Sequence, residues 1–275
     1  MMGISLIDRI ETFHNKNLLH RDIKPENFVI GVNEENNLIH LIDFGLARLY
    51  KNMQGLHVSM REGYGLIGTA RYASINAHIG RELSRRDDLE SIGYTLIYFL
   101  KGKLPWQDVK GTDRKAKYKK IKEVKLSLPI EKLCEGLPSC FAVYMNYVRN
   151  LNFAEAPSYK HLRKVFEEAI KEKGQELDYE FDWVIKNRIE RGLKSEGPSK
   201  KKKTQEFANE MGIDAEGQKE SPSFNKDNMG RKAPHKITRF ADEPFSGRYE
   251  LGERLNIFTQ QIVCIQGEKT SEVKT

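Results

Sequence analysis

One octapeptide constrains this chain more than anything else in it: His20-Arg21-Asp22-Ile23-Lys24-Pro25-Glu26-Asn27. It sets a carboxylate, an ammonium and a carboxamide at fixed offsets on one short turn. Pro25 and Asn27 both favour loops, so the residue types alone also suit a charged surface turn. The spacing is more specific than the residue types. Asp22, placed beside a hydroxyl, could accept its proton. Asn27 could reach a divalent cation on bound phosphates from the same loop. Lys24 could lean on a transferred phosphoryl group as a point charge. Arg21, beside Asp22, is expected to give the loop structural support.

A second motif follows at the right distance. Asp43-Phe44-Gly45 begins sixteen positions after Asn27. Between the two lie a short apolar run at residues 28–30, a polar turn at 31–37 and another apolar run at 38–42. That order predicts a β-hairpin. The hairpin would return Asp43 to the side of Asn27, so that both could hold magnesium. The tripeptide alone is weak, but at the end of such a hairpin it resembles the metal-binding motif of protein kinases, and residues 20–27 resemble their catalytic loop.

Composition limits the remaining possibilities. The chain has 275 residues, three cysteines, a net charge of +7 and a pI near 9.1. Cys134, Cys140 and Cys264 give neither metal-ligand spacing nor an even-numbered disulfide framework, which fits a reducing compartment. The expected location is cytoplasmic, with the nucleus as alternative. No apolar run approaches the ~18 residues of a membrane span. The N-terminus lacks the basic and apolar regions of a signal peptide. Of the +7, a net +6 falls in residues 1–194. That balance suits acidic partners, and no nucleic-acid partner is expected.

The rest of the chain reads mainly as helix. Leu6, Ile7, Ile10 and Phe13 share one face of an amphipathic helix over residues 1–17. Residues 46–67, with Gly55, Gly63 and Gly65, show little periodicity and read as an activation segment closed by residues 68–76. There the Thr69 hydroxyl is expected to bridge Asp22 and Lys24. A helix over residues 87–100 is apolar most of the way round, which marks it as buried. An Asp near its start can accept hydrogen bonds from backbone N–H groups of the catalytic loop, and Asp88 is the better candidate because Asp88-x-x-Ser91-x-Gly93 resembles the pattern that kinases show there. A simple helix cap by Asp87 or Asp88 is compatible with that role.

Residues 112–125 predict a strongly basic helix, which on composition alone reads as a solvated face. Amphipathic helices are expected over residues 139–151 and 158–173. The aromatic stretch 178–183 is expected to dock back on them. From residue 195 the chain turns polar and reads as a disordered tail. Its four-lysine run at 200–203 suits a nuclear import signal or a solvated linker.

In detail the chain resembles the casein kinase 1 family of serine/threonine protein kinases. Ser74-Ile75-Asn76 stands where most kinases carry Ala-Pro-Glu. Residues 84–91 (Ser-Arg-Arg-Asp-Asp-Leu-Glu-Ser), Leu104-Pro105-Trp106-Gln107, and Tyr179, Phe181, Asp182 and Trp183 match the same family. The resemblance covers residues 1 to about 190. It implies ATP and Mg2+ as cofactors, with Asn27 and Asp43 as metal ligands and Lys24 also at the nucleotide. It implies acidic or already phosphorylated protein substrates, recognised by a basic anion site. Arg71 falls on one position of that site. Arg114 falls where the family usually has Lys, which keeps the charge but changes its geometry. Asn76 replaces the glutamate that elsewhere forms a buried ion pair, so no such pair is expected.

The fold class expected is therefore mainly α: a protein-kinase-like C-terminal lobe at residues 1–194, helical with a small β-hairpin at the catalytic site, truncated at the N-terminus, plus the tail at 195–275. No glycine-rich loop, strand lysine or helix glutamate precedes His20. Two functions follow. One is a casein kinase 1-like enzyme whose isolated residues 1–275 are inactive. The other is a non-catalytic large-lobe module that binds anionic or phosphorylated partners.

Overall fold

The computed structural model describes residues 1–32 and 35–190. The expected tail and its four-lysine run lie outside them. The chain divides into two units. The described part of the first comprises residues 1–31 and 38–179; that of the second, residues 32, 35–37 and 180–190.

The first unit is built on helix α3 (Arg85–Lys101). Leu89, Ile92, Tyr94, Leu96, Ile97 and Phe99 are all buried along it. Each such side chain contributes about 1.5–3 kcal/mol by leaving water. The helix begins two residues earlier than its apolar pattern suggested, because Ser84 donates its backbone N–H to Asp87 Oδ2 at 2.7 Å. It ends at Gly102, in the left-handed region at φ 69°. Helix α1 (Met2–Asn15) packs against α3, and its Ile4, Leu6, Ile7 and Ile10 are buried. No side chain caps its first turn.

The hairpin forms as expected from strands β2 (Phe28–Ile30) and β3 (Ile39–Leu41), antiparallel with Val29 opposite His40. A second, two-residue pairing was not foreseen. Strand β1 (Leu18–Leu19) pairs with β4 (Arg48–Leu49) and ties the start of the activation segment to the entry of the catalytic loop. Two residues per strand are too few to leave a periodic signal.

Helices α2 (Ile75–Ile79), α4 (Arg114–Ser127), α5 (Ile130–Leu133), α6 (Ser139–Asn150) and α7 (Tyr159–Glu172) complete the unit. α6 packs on α3, α7 on α1, and α4 on α2. Gly93 permits the α3–α6 approach, since a Cβ there would meet Met145 Sδ at 2.2 Å.

In the second unit, Phe181 and Trp183 stack at 4.3 Å and lead into helix α8 (Asp182–Glu190). The Trp183 indole donates to the Asn36 carbonyl at 2.7 Å. The aromatic stretch thus contacts the turn at residues 35–37, a partner the sequence did not indicate.

Candidate active site

The catalytic-loop residues are held by the first turn of α3. Asp88 Oδ2 accepts from the His20 N–H and Oδ1 from the Arg21 N–H, both at 2.8 Å. His14 reaches Oδ2 through Nε2 at 2.9 Å, while its Nδ1 lies 2.6 Å from the Tyr159 hydroxyl. Burial lowers the His14 pKa despite the nearby carboxylate. A neutral His14 satisfies both contacts in one tautomer: Nε2–H donates to Asp88, and Nδ1 accepts from Tyr159. Burial alone would raise the Asp88 pKa, but its donors, His14 first, hold it below the ordinary value. Asp87 is different. Burial pushes its carboxyl up to about 6, although Ser84, Ser74 and Asn76 donate to it.

This anchoring fixes an unfavourable backbone. Arg21 has φ 66°, a left-handed conformation costly for a side-chain-bearing residue. Besides Asp88 on its N–H, its Nε donates to the Leu46 carbonyl at 2.7 Å. Arg21 therefore supports the loop from within, joining it to the segment after Gly45.

Asp22 is reached from two sides. Lys24 Nζ donates to Oδ2 at 2.6 Å. The Thr69 N–H and hydroxyl both donate to Oδ1, each at 2.8 Å. The expected bridge from Thr69 to Lys24 is therefore made by the carboxylate itself rather than by a direct bond. Gly68 makes this approach possible. At φ 83°, a Cβ on it would lie 2.5 Å from the Arg21 carbonyl oxygen and 3.3 Å from Asp22 Oδ1.

Asn27 and Asp43 come from opposite ends of the hairpin. The Ile42 N–H donates to the Asn27 carbonyl at 2.9 Å, which brings the two motifs together. Asn27 Nδ2 donates to the Asp22 carbonyl at 2.8 Å, and this leaves its Oδ1 as an oxygen donor. Asp43 is exposed and sits at φ 65°. A carboxylate and an amide oxygen suit a hard divalent cation, so these residues fit magnesium. Among the described residues no cluster of three or more His, Cys, Asp or Glu forms a metal site. Phe44 stacks on Phe13 at 5.1 Å and meets His20 edge-on, yet stays 49% exposed.

Arg71 and Arg114 differ in setting. The Arg71 guanidinium lies over the Tyr72 and Tyr98 rings, 5.8 and 5.9 Å from their centroids. Arg114 is exposed in the first turn of α4, where its Nε donates to Tyr118 on the same helix at 2.8 Å. Asn76 enters no ion pair and donates instead to Asp87 at 3.0 Å.

Sequence reasoning missed the His14–Tyr159 support of Asp88 and the burial of Lys125. His14 sits on the apolar face of α1, which was the only available signal. Among the described residues no helix is long and apolar enough to cross a membrane. A family model described as "Protein kinase domain" matches residues 3–170.

Proposed function

The chain belongs to the protein kinase family, and from that premise we propose that it serves a casein kinase 1-like transfer of the ATP γ-phosphoryl group to Ser or Thr of acidic or pre-phosphorylated proteins. The observation that carries the reading is the Asp22 carboxylate, fixed by Thr69 on one oxygen and by Lys24 on the other. Asp22 is the base that accepts the substrate hydroxyl proton, and Lys24 offsets negative charge on the moving phosphoryl group. Asn27 and Asp43 would hold magnesium, which when bound neutralises phosphate charge. Arg71, two residues past Thr69, is the favoured contact for an acidic or phosphorylated side chain of the substrate. Its aromatic seat supports it there, and Arg114 supplies a second positive charge.

No glycine-rich loop, strand lysine or helix glutamate of a kinase small lobe stands among residues 1–19, ahead of the catalytic loop. Asp22, Lys24, Asn27 and Asp43 thus carry the large-lobe share of the machinery. The test is a peptide assay on a preparation that carries a kinase small lobe. Arg71→Ala is expected to cost about 1.5–3 kcal/mol of transition-state binding for acidic peptides, less if water screens the contact, and to affect neutral peptides less. Equal losses on both peptide classes would remove the anion-site role. Transfer to Tyr in place of Ser or Thr would overturn the family assignment within kinases.

A further inference from the structure

Lys125 lies in the last turn of α4, the most basic helix of the chain, yet it is fully buried. Its Nζ donates to the Ala70 carbonyl at 3.0 Å and the Ala73 carbonyl at 2.5 Å. The Tyr94 and Trp106 rings flank it, each centroid 4.7 Å away. Among the described residues no carboxylate pairs with it directly. Glu90 acts on it through space, and that carboxylate already accepts from the Tyr94 hydroxyl at 2.5 Å and the Ile75 N–H at 3.1 Å.

An ammonium buried with no direct counter-ion is expensive, and an unbranched apolar side chain would fill the same space without that cost. What the amine adds is a pair of charge-assisted bonds to one short loop. Two neighbours act on the same loop. The Trp106 indole donates to the Arg71 carbonyl at 2.7 Å. His78 Nε2 lies 3.0 Å from the Ala70 carbonyl and must donate there, since a carbonyl only accepts. Burial lowers the His78 pKa to about 4, so the ring is neutral and available in that tautomer at physiological pH.

We infer that Lys125 is a positioning residue that, with Trp106 and His78, grips the carbonyls of Ala70, Arg71 and Ala73 from beneath and so sets the loop whose other side places Thr69 on Asp22. The loop faces two ways. The Thr69 N–H and hydroxyl point to the proposed base. The carbonyl of Thr69 accepts from the Tyr72 and Ala73 N–H groups, closing the turn. Three carbonyls then meet buried donors. Arg71 lies inside the gripped stretch, so its position is fixed by the same contacts. The inference rests on the proposed kinase reading only for the consequence at Asp22. The grip itself is independent of activity.

The test compares residues 1–275 with Lys125→Met, which keeps the length and removes the donors, by amide hydrogen exchange. Leu133→Ala, a cavity in buried α5 away from the loop, serves as a control with its own loss of stability. Exchange at residues 69–73 is expected to rise roughly tenfold or more in Lys125→Met beyond any rise across α6, because the loop opens locally. Leu133→Ala is expected to show no such excess. Lys125→Gln, which retains a donor at shorter reach, is expected to recover part of the protection. If Lys125→Met does not fold, Lys125→Gln is compared with the wild type instead: a smaller excess at residues 69–73 over α6 is expected, and no excess would overturn the inference. Uniform acceleration across the loop and α6, as in the control, would overturn the inference and leave Lys125 a packing residue. A failed peptide assay with normal loop protection would instead count against the kinase proposal alone.

Discussion

Thr69 gives two hydrogen bonds to a single oxygen of Asp22, one from its backbone N–H and one from its hydroxyl, both at 2.8 Å. The two residues are 47 positions apart. The carboxylate is thus oriented by the loop that closes the activation segment, while its other oxygen faces Lys24.

Thr69→Val keeps the branched shape and the backbone bond but removes the hydroxyl donor. A hydrogen bond to a charged acceptor is worth about 1.5–3 kcal/mol, so kcat/KM is expected to fall roughly 10- to 100-fold. Thr69→Ser restores the donor and most of the rate. Steady-state kinetics on a preparation with a small lobe checks this, and unchanged kinetics in the valine variant would remove Thr69 from the site.

Gly68→Ala introduces a Cβ at φ 83° that meets the Arg21 carbonyl oxygen at 2.5 Å. Backbone must shift, because neither partner is a flexible side chain. The expected cost is about 1–3 kcal/mol in stability, read as a lower urea midpoint, together with loss of the Thr69–Asp22 contact. A wild-type midpoint would mean that the two loops do not approach so closely.

Acidification is expected to destabilise the fold through its buried histidines. The His78 pKa falls from 6.5 to about 4 on folding, chiefly by burial, and that of His14 is also lowered. Between those values the unfolded chain binds protons that the folded chain refuses. Stability from His78 is therefore fully present above pH 6.5 and lost as pH falls towards 4, and His14 acts in the same sense. At pH 5 the shift of His78 costs the fold about 2 kcal/mol. Asp87 works the other way, since its raised pKa of about 6 favours the fold as pH falls through that value. His78→Gln keeps a donor for the Ala70 carbonyl but cannot titrate there. Its Tm is expected to vary less between pH 7.5 and 5 than the wild type. An identical slope would show that His78 titrates normally.

Residues 1–275 tested alone are expected to phosphorylate protein no faster than an Asp22→Asn control. Phosphoryl transfer depends on positioning and charge stabilisation, and Asp22, Lys24, Asn27 and Asp43 supply only one side of the nucleotide. Weak ATP affinity by calorimetry is the companion expectation. Turnover clearly above the control, in a preparation free of other kinases, would show that another segment covers the phosphates.

The amino-acid sequence by itself determined the local chemistry. The offsets among Asp22, Lys24 and Asn27 lie within one turn, and the two apolar runs around a polar turn over residues 28–42 encode a hairpin that returns Asp43 to Asn27. The near-continuous apolar surface of α3 marked it as buried, because periodicity reports burial directly. Asp88 could be picked out through its neighbours in sequence, but its bonds to His20 and Arg21 exist only once α3 and the catalytic loop are packed together. The β1–β4 pairing was hidden because two-residue strands have no period. His14 looked like any polar residue interrupting an apolar face, until packing set it between Asp88 and Tyr159. Lys125 was hidden most completely. In sequence it is one more cation on a basic helix. Only the crossing of α4 over α2, with Tyr94 and Trp106 on either side, turns its amine inward to the loop carbonyls. Charge and spacing are properties of the chain, whereas desolvation is a property of the packed fold, and it is desolvation that separates Lys125 from the exposed lysines on the same helix.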